Sequence, residues 1–370
     1  MKVGIITAEI NSRSGWAQYS LELIGALRSL GVDLTIVASR SAAGADFAIL
    51  PPLAESQSGL LLSLLRSYGA VHAALSSCDI VHTLVEPFAP LGLRVAGARP
   101  HVLNAHGTYA VLPMTRRWPV GALYRHAFER STVACISTYT QDVLRRHASN
   151  ARSVVIPAGV NAQAWQDAAR DSEPFEKDGP IVLFVGAVKR RKGILPLIRA
   201  MPAVLKQAPN AKCVVVGSLT AEPETGAEAR RLVDELALGD RVRLLGHVSH
   251  ADLLRWYRTA DLFVMPSMND GLRFEGYGLV YLEAGSLGVP SIGTWECGAR
   301  DAIDHEQTGL LVSQALVDDE LPAAIGRLLT DPDRLRAMGV TALEKANRTT
   351  WRKSASQFIA LYESLLRGTP

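Results

Sequence analysis

Pro266-Ser-Met-Asn-Asp-Gly-Leu-Arg-Phe-Glu-Gly-Tyr-Gly-Leu-Val-Tyr-Leu-Glu283 follows directly on the apolar run Asp261-Leu-Phe-Val-Met265. The run reads as a buried parallel strand, the polar, glycine-rich segment as a turn, and Leu279-Val-Tyr-Leu-Glu-Ala as a helix. In an open α/β sheet this order puts a helix N-terminus in the crevice beyond the strand ends, where anions bind. Two carboxylates bracket the turn, Glu275 before the helix and Glu283 about one turn inside it. An anion-attracting helix end between two acids suits a ligand that carries both phosphates and hydroxyls, as a sugar nucleotide does.

The same alternation of apolar β-branched runs with amphipathic stretches extends outward in both directions, the pattern of parallel sheets covered by helices. Toward the C-terminus of that stretch, a helix stops at Gly288 with Pro290 beyond, and short strands follow at Val289–Gly293 and Leu310–Val312. Upstream, strands are expected at Ile181–Val188, Lys212–Gly217 and Val242–Leu245, with helices at Ile194–Lys206, Glu224–Leu236 and Ala251–Tyr257. In the first half, strands are expected at Val3–Thr7, Leu34–Ala38, Ile80–Leu84, Val102–Ala105, Val133–Ser137 and Val154–Pro157. Helices are expected at Ala17–Leu30 and at 59–75. The segment Gln166–Pro180 is charged, proline-bearing and aperiodic, and reads as an interdomain linker. A chain of 370 residues exceeds one ordinary core. The expected plan is therefore a first Rossmann-like domain over 1–170, a linker at 171–180, a second over 181–350, and a final helix at 351–370.

Composition narrows the function classes. No run reaches the length needed to span a bilayer, and Gly59-Leu-Leu-Leu-Ser-Leu-Leu65 stops at Arg66. Met1-Lys-Val-Gly-Ile-Ile-Thr7 enters a strand without a signal-peptide pattern, so a cytoplasmic setting is expected. Cys78, Cys135, Cys213 and Cys297 are scattered without a CxxC pair, which fits a reducing compartment and excludes a structural zinc site. The net charge of +3 is unevenly spread: from Arg94 to Arg152 there are nine arginines against Glu129 and Asp142. That stretch is either a solvated helix surface or a basic face toward an anionic membrane or a phosphate-bearing acceptor. Aromatic residues are not interleaved with it as a stacking platform would require, so nucleic acid is not an expected partner.

The ordered segments resemble glycosyltransferase family 4. The match is densest from Ile181 to Ser313, and its most specific part is Glu275-Gly-Tyr-Gly-Leu-Val-Tyr-Leu-Glu283, two glutamates separated by seven residues. The resemblance implies a GT-B fold, two Rossmann-like doubly wound domains facing across a deep cleft. It also implies a retaining hexosyltransferase that uses a GDP- or UDP-linked sugar. Gly276 and Gly278 would let the backbone approach the ligand. Amides near Gly278, Leu279 and Val280, beside Tyr277, would meet the diphosphate. Glu283 would accept from ribose hydroxyls and Glu275 from hydroxyls of the transferred sugar. Phe184-Val-Gly-Ala-Val-Lys-Arg-Arg-Lys-Gly193 resembles the family's phosphate loop, with Lys192 as the phosphate cation. The family's usual arginine after the first glycine is replaced by Ala187, and Arg190 or Arg191 is expected to stand in.

In the first half, Val102-Leu-Asn-Ala-His-Gly-Thr108 matches the family's histidine near the donor sugar, here His106. Asn11-Ser-Arg-Ser-Gly15 resembles its glycine-rich loop, with Ser14-Gly15 in place of the usual paired glycines, and the resemblance implies that Gly15 would contact the donor. Leu244-Leu-Gly-His-Val248 resembles the strand end whose main chain lies against the nucleobase. Cys297-Gly-Ala-Arg-Asp301 stands where the family often has two glycines and a glutamate. No aspartate-rich DxD arrangement of the kind a metal-bridged donor site needs is evident, so no cofactor and no metal are expected. The expected partners are the nucleotide-sugar donor, a glycan, lipid-linked or small-molecule acceptor, and peripheral contact with an anionic membrane. The rival readings are a sugar-nucleotide epimerase of the same fold and a nucleotide-sugar binder without turnover. A dehydrogenase is disfavoured because no GxGxxG follows the first strand of either half.

Overall fold

A computed structural model describes residues 1–11, 14–40, 42–53 and 57–368. The chain divides into two compact units, Met1–Gly159 with Trp351–Pro370, and Val160–Thr350. The first unit holds seven strands: β1 (Lys2–Ile6), β2 (Asp33–Ser39), β3 (Phe47–Leu50), β4 (Ile80–Thr83), β5 (His101–Ala105), β6 (Thr132–Cys135) and β7 (Arg152–Val155). Its helices are α1 (Gly15–Ser29), α2 (Gln57–Ala74), α3 (Ala89–Ala96), α4 (Val120–Arg130) and α5 (Thr138–His147). The second unit has α6 (Ala162–Arg170), β8 (Ile181–Val185), α7 (Ile194–Gln207), β9 (Lys212–Val216), α8 (Pro223–Glu235) and β10 (Val242–Gly246). It continues through α9 (His250–Thr259), β11 (Leu262–Val264), α10 (Leu279–Ser286), β12 (Ser291–Thr294), α11 (Ala299–Ala302), β13 (Gly309–Val312), α12 (Val317–Leu329) and α13 (Pro332–Arg348). The last helix, α14 (Trp351–Leu366), belongs to the first unit.

Both sheets are wholly parallel, in the orders β3-β2-β1-β4-β5-β6-β7 and β10-β9-β8-β11-β12-β13. The central strands are short apolar runs buried on both faces, as a sheet sandwiched between helices requires, while the edge strands β3, β7 and β10 are partly exposed. Strand order reverses beside β1 in one unit and beside β8 in the other. Ligands of doubly wound sheets gather beyond the carboxyl ends of the strands at that point.

The division differs from the expected linker in a way the side chains explain. Residues 162–170 are helical and belong to the second unit, where Trp165 meets the Tyr257 ring edge-on at 5.6 Å. Segment 171–180 is tied down as well. Phe175 donates its amide to the Thr259 hydroxyl (2.8 Å) and packs on Trp256 (4.4 Å between rings). Lys177 pairs with Asp261 at 2.7 Å, and Arg258 donates to the Ser172 carbonyl at 2.6 Å. Two of the charges that make the segment look like a solvated tether, Lys177 and Asp178, are ion-paired to Asp261 and to Lys212.

Candidate active site

Beyond the carboxyl ends of β8 and β11 the second unit brings three charged side chains together. The strand β8 runs into Gly186 and a short 3-10 turn, Arg190–Lys192. Gly193 closes that turn at φ +77°, and a Cβ there would lie 1.8 Å from the Pro266 carbonyl oxygen, so glycine alone lets this loop rest on the end of β11. Met268 donates its amide to the Arg191 carbonyl at 2.8 Å, which fixes the two loops to each other. The Glu275 carboxylate sits between the cations, 2.9 Å from Arg191 Nη1 and in close ion-pair contact with Lys192 Nζ. Burial alone would raise the Glu275 carboxyl, but the Lys192 and Arg191 charges outweigh it and hold it below its ordinary value.

Arg190 faces away. Its amide donates to Glu222 (2.6 Å) and its guanidinium pairs with Glu228 (2.5 Å) on α8. Of the two arginines offered as substitutes for the cation missing at Ala187, Arg191 is the one beside Lys192.

The turn that carries Glu275 is held from behind. Gly298 donates its amide to the Glu275 carbonyl at 2.8 Å, and a Cβ on Gly298 would lie 2.0 Å from the Gly276 carbonyl oxygen. Cys297-Gly298 is thus a cradle for the Glu275–Gly276 backbone. Gln314 spans the loop base, donating to the Ser267 carbonyl (2.8 Å) and accepting the Asn269 amide (3.0 Å), and Glu296 accepts the Gln314 amide (2.9 Å). Tyr281 donates to the Met265 carbonyl at 2.6 Å. Sequence reasoning missed the Gln314 and Glu296 braces, ordinary polar residues just beyond β13 and β12 that carry no local signature.

Gly278 caps α10 in the left-handed region (φ +85°) with no side chain satisfying the helix end. The first amides of a helix lack intrahelical acceptors, so those of Leu279 and Val280 are available to an anion. Tyr277 is buried, 3% exposed. One turn on, Glu283 accepts from the fully buried Tyr257 hydroxyl at 3.2 Å. Burial pushes Glu283 up to about 7, against the lowering effects of that hydrogen bond and of Lys192. Val248 lies half-buried just beyond β10 at the far edge of the sheet.

One DxD spacing does occur, Asp331-Pro-Asp333, a correction to the sequence reading. It opens α13, where Asp331 caps the helix by accepting the Arg334 amide (3.0 Å) and Asp333 pairs with Arg336 (2.6 Å). Its carboxylates serve the helix end.

In the first unit, His106 follows β5. Its amide donates to Glu86 Oε1 (2.6 Å) and its ring Nε2 lies 2.7 Å from the Leu84 carbonyl. A carbonyl only accepts, so Nε2 carries the proton, and loss of water around the ring lowers its pKa to about 4. The Tyr19 ring stands edge-on to it at 4.4 Å. Gly107 follows at φ +147°. Behind it, His82 links Asn104 (2.9 Å) to Tyr362 of α14 (2.6 Å), a wholly buried chain. Gly15 is the first residue of α1, capped by Ser14, whose hydroxyl accepts the Ala17 amide (3.3 Å), and no atom would oppose a Cβ on Gly15. The loop expected before it runs through Ser12 and Arg13, which lie outside the described residues.

Residues 166–345 match the model of the glycosyl transferases group 1, and residues 13–164 that of Glycosyltransferase Family 4. The chain is 32% identical over 292 residues to a GDP-mannose-dependent alpha-(1-6)-phosphatidylinositol monomannoside mannosyltransferase of Mycolicibacterium smegmatis. That match covers 74% of this chain and 73% of the relative. It is 31% identical over 229 residues to a D-inositol 3-phosphate glycosyltransferase of Thermobispora bispora, covering 60% of this chain but only about half, 52%, of the relative's length. Among solved structures, the sucrose-phosphate synthase of Thermosynechococcus elongatus superposes with a TM-score of 0.78 at 25% identity, over 99% of both chains. The chain belongs to glycosyltransferase family 4 and has its GT-B architecture of two Rossmann-like units.

Proposed function

We propose that the protein is a retaining, metal-independent hexosyltransferase that moves a sugar from a nucleoside diphosphate to a hydroxyl of a glycan, glycolipid or small-molecule acceptor. The observation that carries this reading is the Arg191–Lys192–Glu275 cluster beside the uncapped start of α10. In the ligand-free protein Glu275 is the counter-ion of both cations. A diphosphate brings its own negative charge to Arg191, Lys192 and the α10 amides, and releases the Glu275 carboxylate to accept hydrogen bonds from the sugar hydroxyls.

As the bond to the anomeric carbon breaks, negative charge grows on the leaving diphosphate, and preorganised positive charge there lowers the barrier. Arginine grips in a fork and lysine as a point charge, so the pair supplies both orientation and neutralisation. Glu283, held by Tyr257, would accept from the ribose, and the neutral His106 ring would contact the sugar without competing for the diphosphate. The mannosyltransferase relatives make GDP-mannose the first donor to test.

Contact with an anionic membrane is part of the proposal. Trp118 is 84% exposed between Arg117 and Pro119, with Arg116, Arg125 and the 43%-exposed Leu123 nearby in sequence and also on the surface. An amphipathic ring flanked by arginines suits a headgroup region. No helix among the described residues is long and apolar enough to cross a membrane.

The test is transfer from a panel of nucleotide sugars in the presence of EDTA, with Lys192→Ala and Arg191→Ala alongside. Both variants should lose about a hundredfold or more in kcat, and the product should keep the donor's anomeric configuration by proton NMR. Full activity in either variant overturns the site assignment, and loss of wild-type transfer with EDTA overturns metal independence.

A further inference from the structure

The first unit contains a carboxyl group to which the proposed reaction assigns no task. Glu86 follows β4 at the same sheet edge as His106 and is 0% exposed. Its Oε1 accepts the His106 amide at 2.6 Å, while Oε2 is buried with no hydrogen-bond partner. The adjoining Leu84 carbonyl takes the proton on the His106 ring at 2.7 Å. Three consecutive residues, Leu84-Val85-Glu86, therefore grip His106 at both its main chain and its ring. Gly107 then takes a backbone conformation that side-chain-bearing residues rarely adopt.

We propose that Glu86 is a positioning residue: its buried carboxyl holds the His106 amide and thereby sets the His106–Gly107 turn against the donor sugar. This rests on reading His106 as a contact of that sugar. The groups around Glu86 are the Trp16 indole and the Tyr19 hydroxyl on α1, the Cys135 thiol on β6, and His106 itself. No lysine or arginine pairs with it among the described residues. A carboxylate here would be a buried charge met by N–H donors but by no cation, whereas a carboxylic acid carries no charge and keeps its carbonyl oxygen for the amide. Burial accordingly pushes Glu86 up to about 8, against the hydrogen bonds from His106, its own amide and Trp16. The working form is the protonated one, which deprotonation above that value replaces with a charge the pocket does not balance.

Glu86→Gln keeps a carbonyl acceptor and removes the titration, and Glu86→Ala removes both. With 15N-histidine labelling, the His106 amide is assigned by its absence from His106→Ala and followed from pH 6 to 9.5. The wild-type signal should move with a midpoint near 8, Glu86→Gln should stay flat, and Glu86→Ala should show the shift of a lost hydrogen bond. In transfer assays Glu86→Gln should stay within about threefold of wild type at pH 7 and lose the alkaline fall in kcat. Glu86→Ala should lose about tenfold or more in kcat. A flat wild-type amide signal, an alkaline fall retained in Glu86→Gln, or an unchanged amide and kcat in Glu86→Ala overturns the proposal. If Glu86→Ala does not fold, Glu86→Gln decides alone. If wild type transfers no sugar, the reading of the reaction fails, and the amide titration still decides the role of Glu86.

Discussion

Replacing Gly298 by alanine tests whether the Cys297–Gly298 cradle sets the position of Glu275. The new Cβ would stand 2.0 Å from the Gly276 carbonyl oxygen, 2.3 Å from its carbon and 2.6 Å from the Tyr277 nitrogen. All three are main-chain atoms, so no flexible side chain can swing aside. Real Cβ contacts stop at 3.0 Å, and the turn must therefore retreat by about 1 Å. That retreat also strains the 2.8 Å bond from the Gly298 amide to the Glu275 carbonyl. Overpacking of this kind costs about 1–3 kcal/mol, or a fall in Tm of roughly 2–12 °C for a unit of this size. A displacement of about 1 Å at a group that orients substrate costs about a hundredfold in kcat/KM. The assay compares transfer rates and thermal unfolding of Gly298→Ala with those of Gly239→Ala, where nothing lies within 4 Å of an added Cβ. A Gly298→Ala enzyme within about threefold of wild type in kcat/KM would refute the argument that this contact places Glu275.

Other outcomes follow from the same geometry. Arg190→Ala should retain donor binding and transfer within about twofold, because its guanidinium belongs to Glu228; a loss like that of Arg191→Ala would show that the arginines have been assigned the wrong way round. Glu283 has a folded-state pKa of about 7 against an ordinary 4.5, so the native protein holds that proton more tightly than the unfolded chain does. Its stabilising effect is complete below about 4.5 and is lost as pH rises through about 7, the interval in which nucleoside diphosphate affinity should rise as the carboxylate forms. Tyr257→Phe removes a hydrogen bond that lowers Glu283, so the calorimetric midpoint of that rise should move to higher pH, and an unmoved midpoint refutes the coupling. Binding to anionic vesicles should fall with added salt and weaken in Trp118→Ser with Arg116→Ser and Arg117→Ser, and equal binding to neutral vesicles would count against the membrane proposal.

The strand–turn–helix units that make the second-unit site were legible because β8 and β11 are continuous apolar runs that end in glycine or proline. Only one arrangement buries such runs on both faces. The edge strand β3 was not legible: Phe47-Ala-Ile-Leu50 is an apolar run of four residues, too short for periodicity to tell strand from helix. Arg190 and Arg191 are indistinguishable in sequence. In a 3-10 turn successive side chains diverge by about 120°, which sends one to Glu228 and the other to Glu275. Segment 171–180 looked like a tether because composition cannot show that Lys177 and Asp261, 84 positions apart, are partners. Glu86 was invisible for a related reason, since an acid after a strand acquires meaning only once its complete burial and its bond to His106 are known.

The placement of α14 bears on how the protein is made. The second unit is one contiguous segment, Val160–Thr350, whereas the first is closed by residues that are made only after the whole of the second. His82 must wait for Tyr362, 280 positions later, which at translation rates of about 5–20 residues per second is a delay of about 14–56 s. Through that interval Asn104 can already hold one imidazole nitrogen, while the other nitrogen and the ring faces that Phe358 and Tyr362 will cover have no native partner. The unit begun first is thus completed only after the second, and its core stays open on the α14 side while the second unit is made.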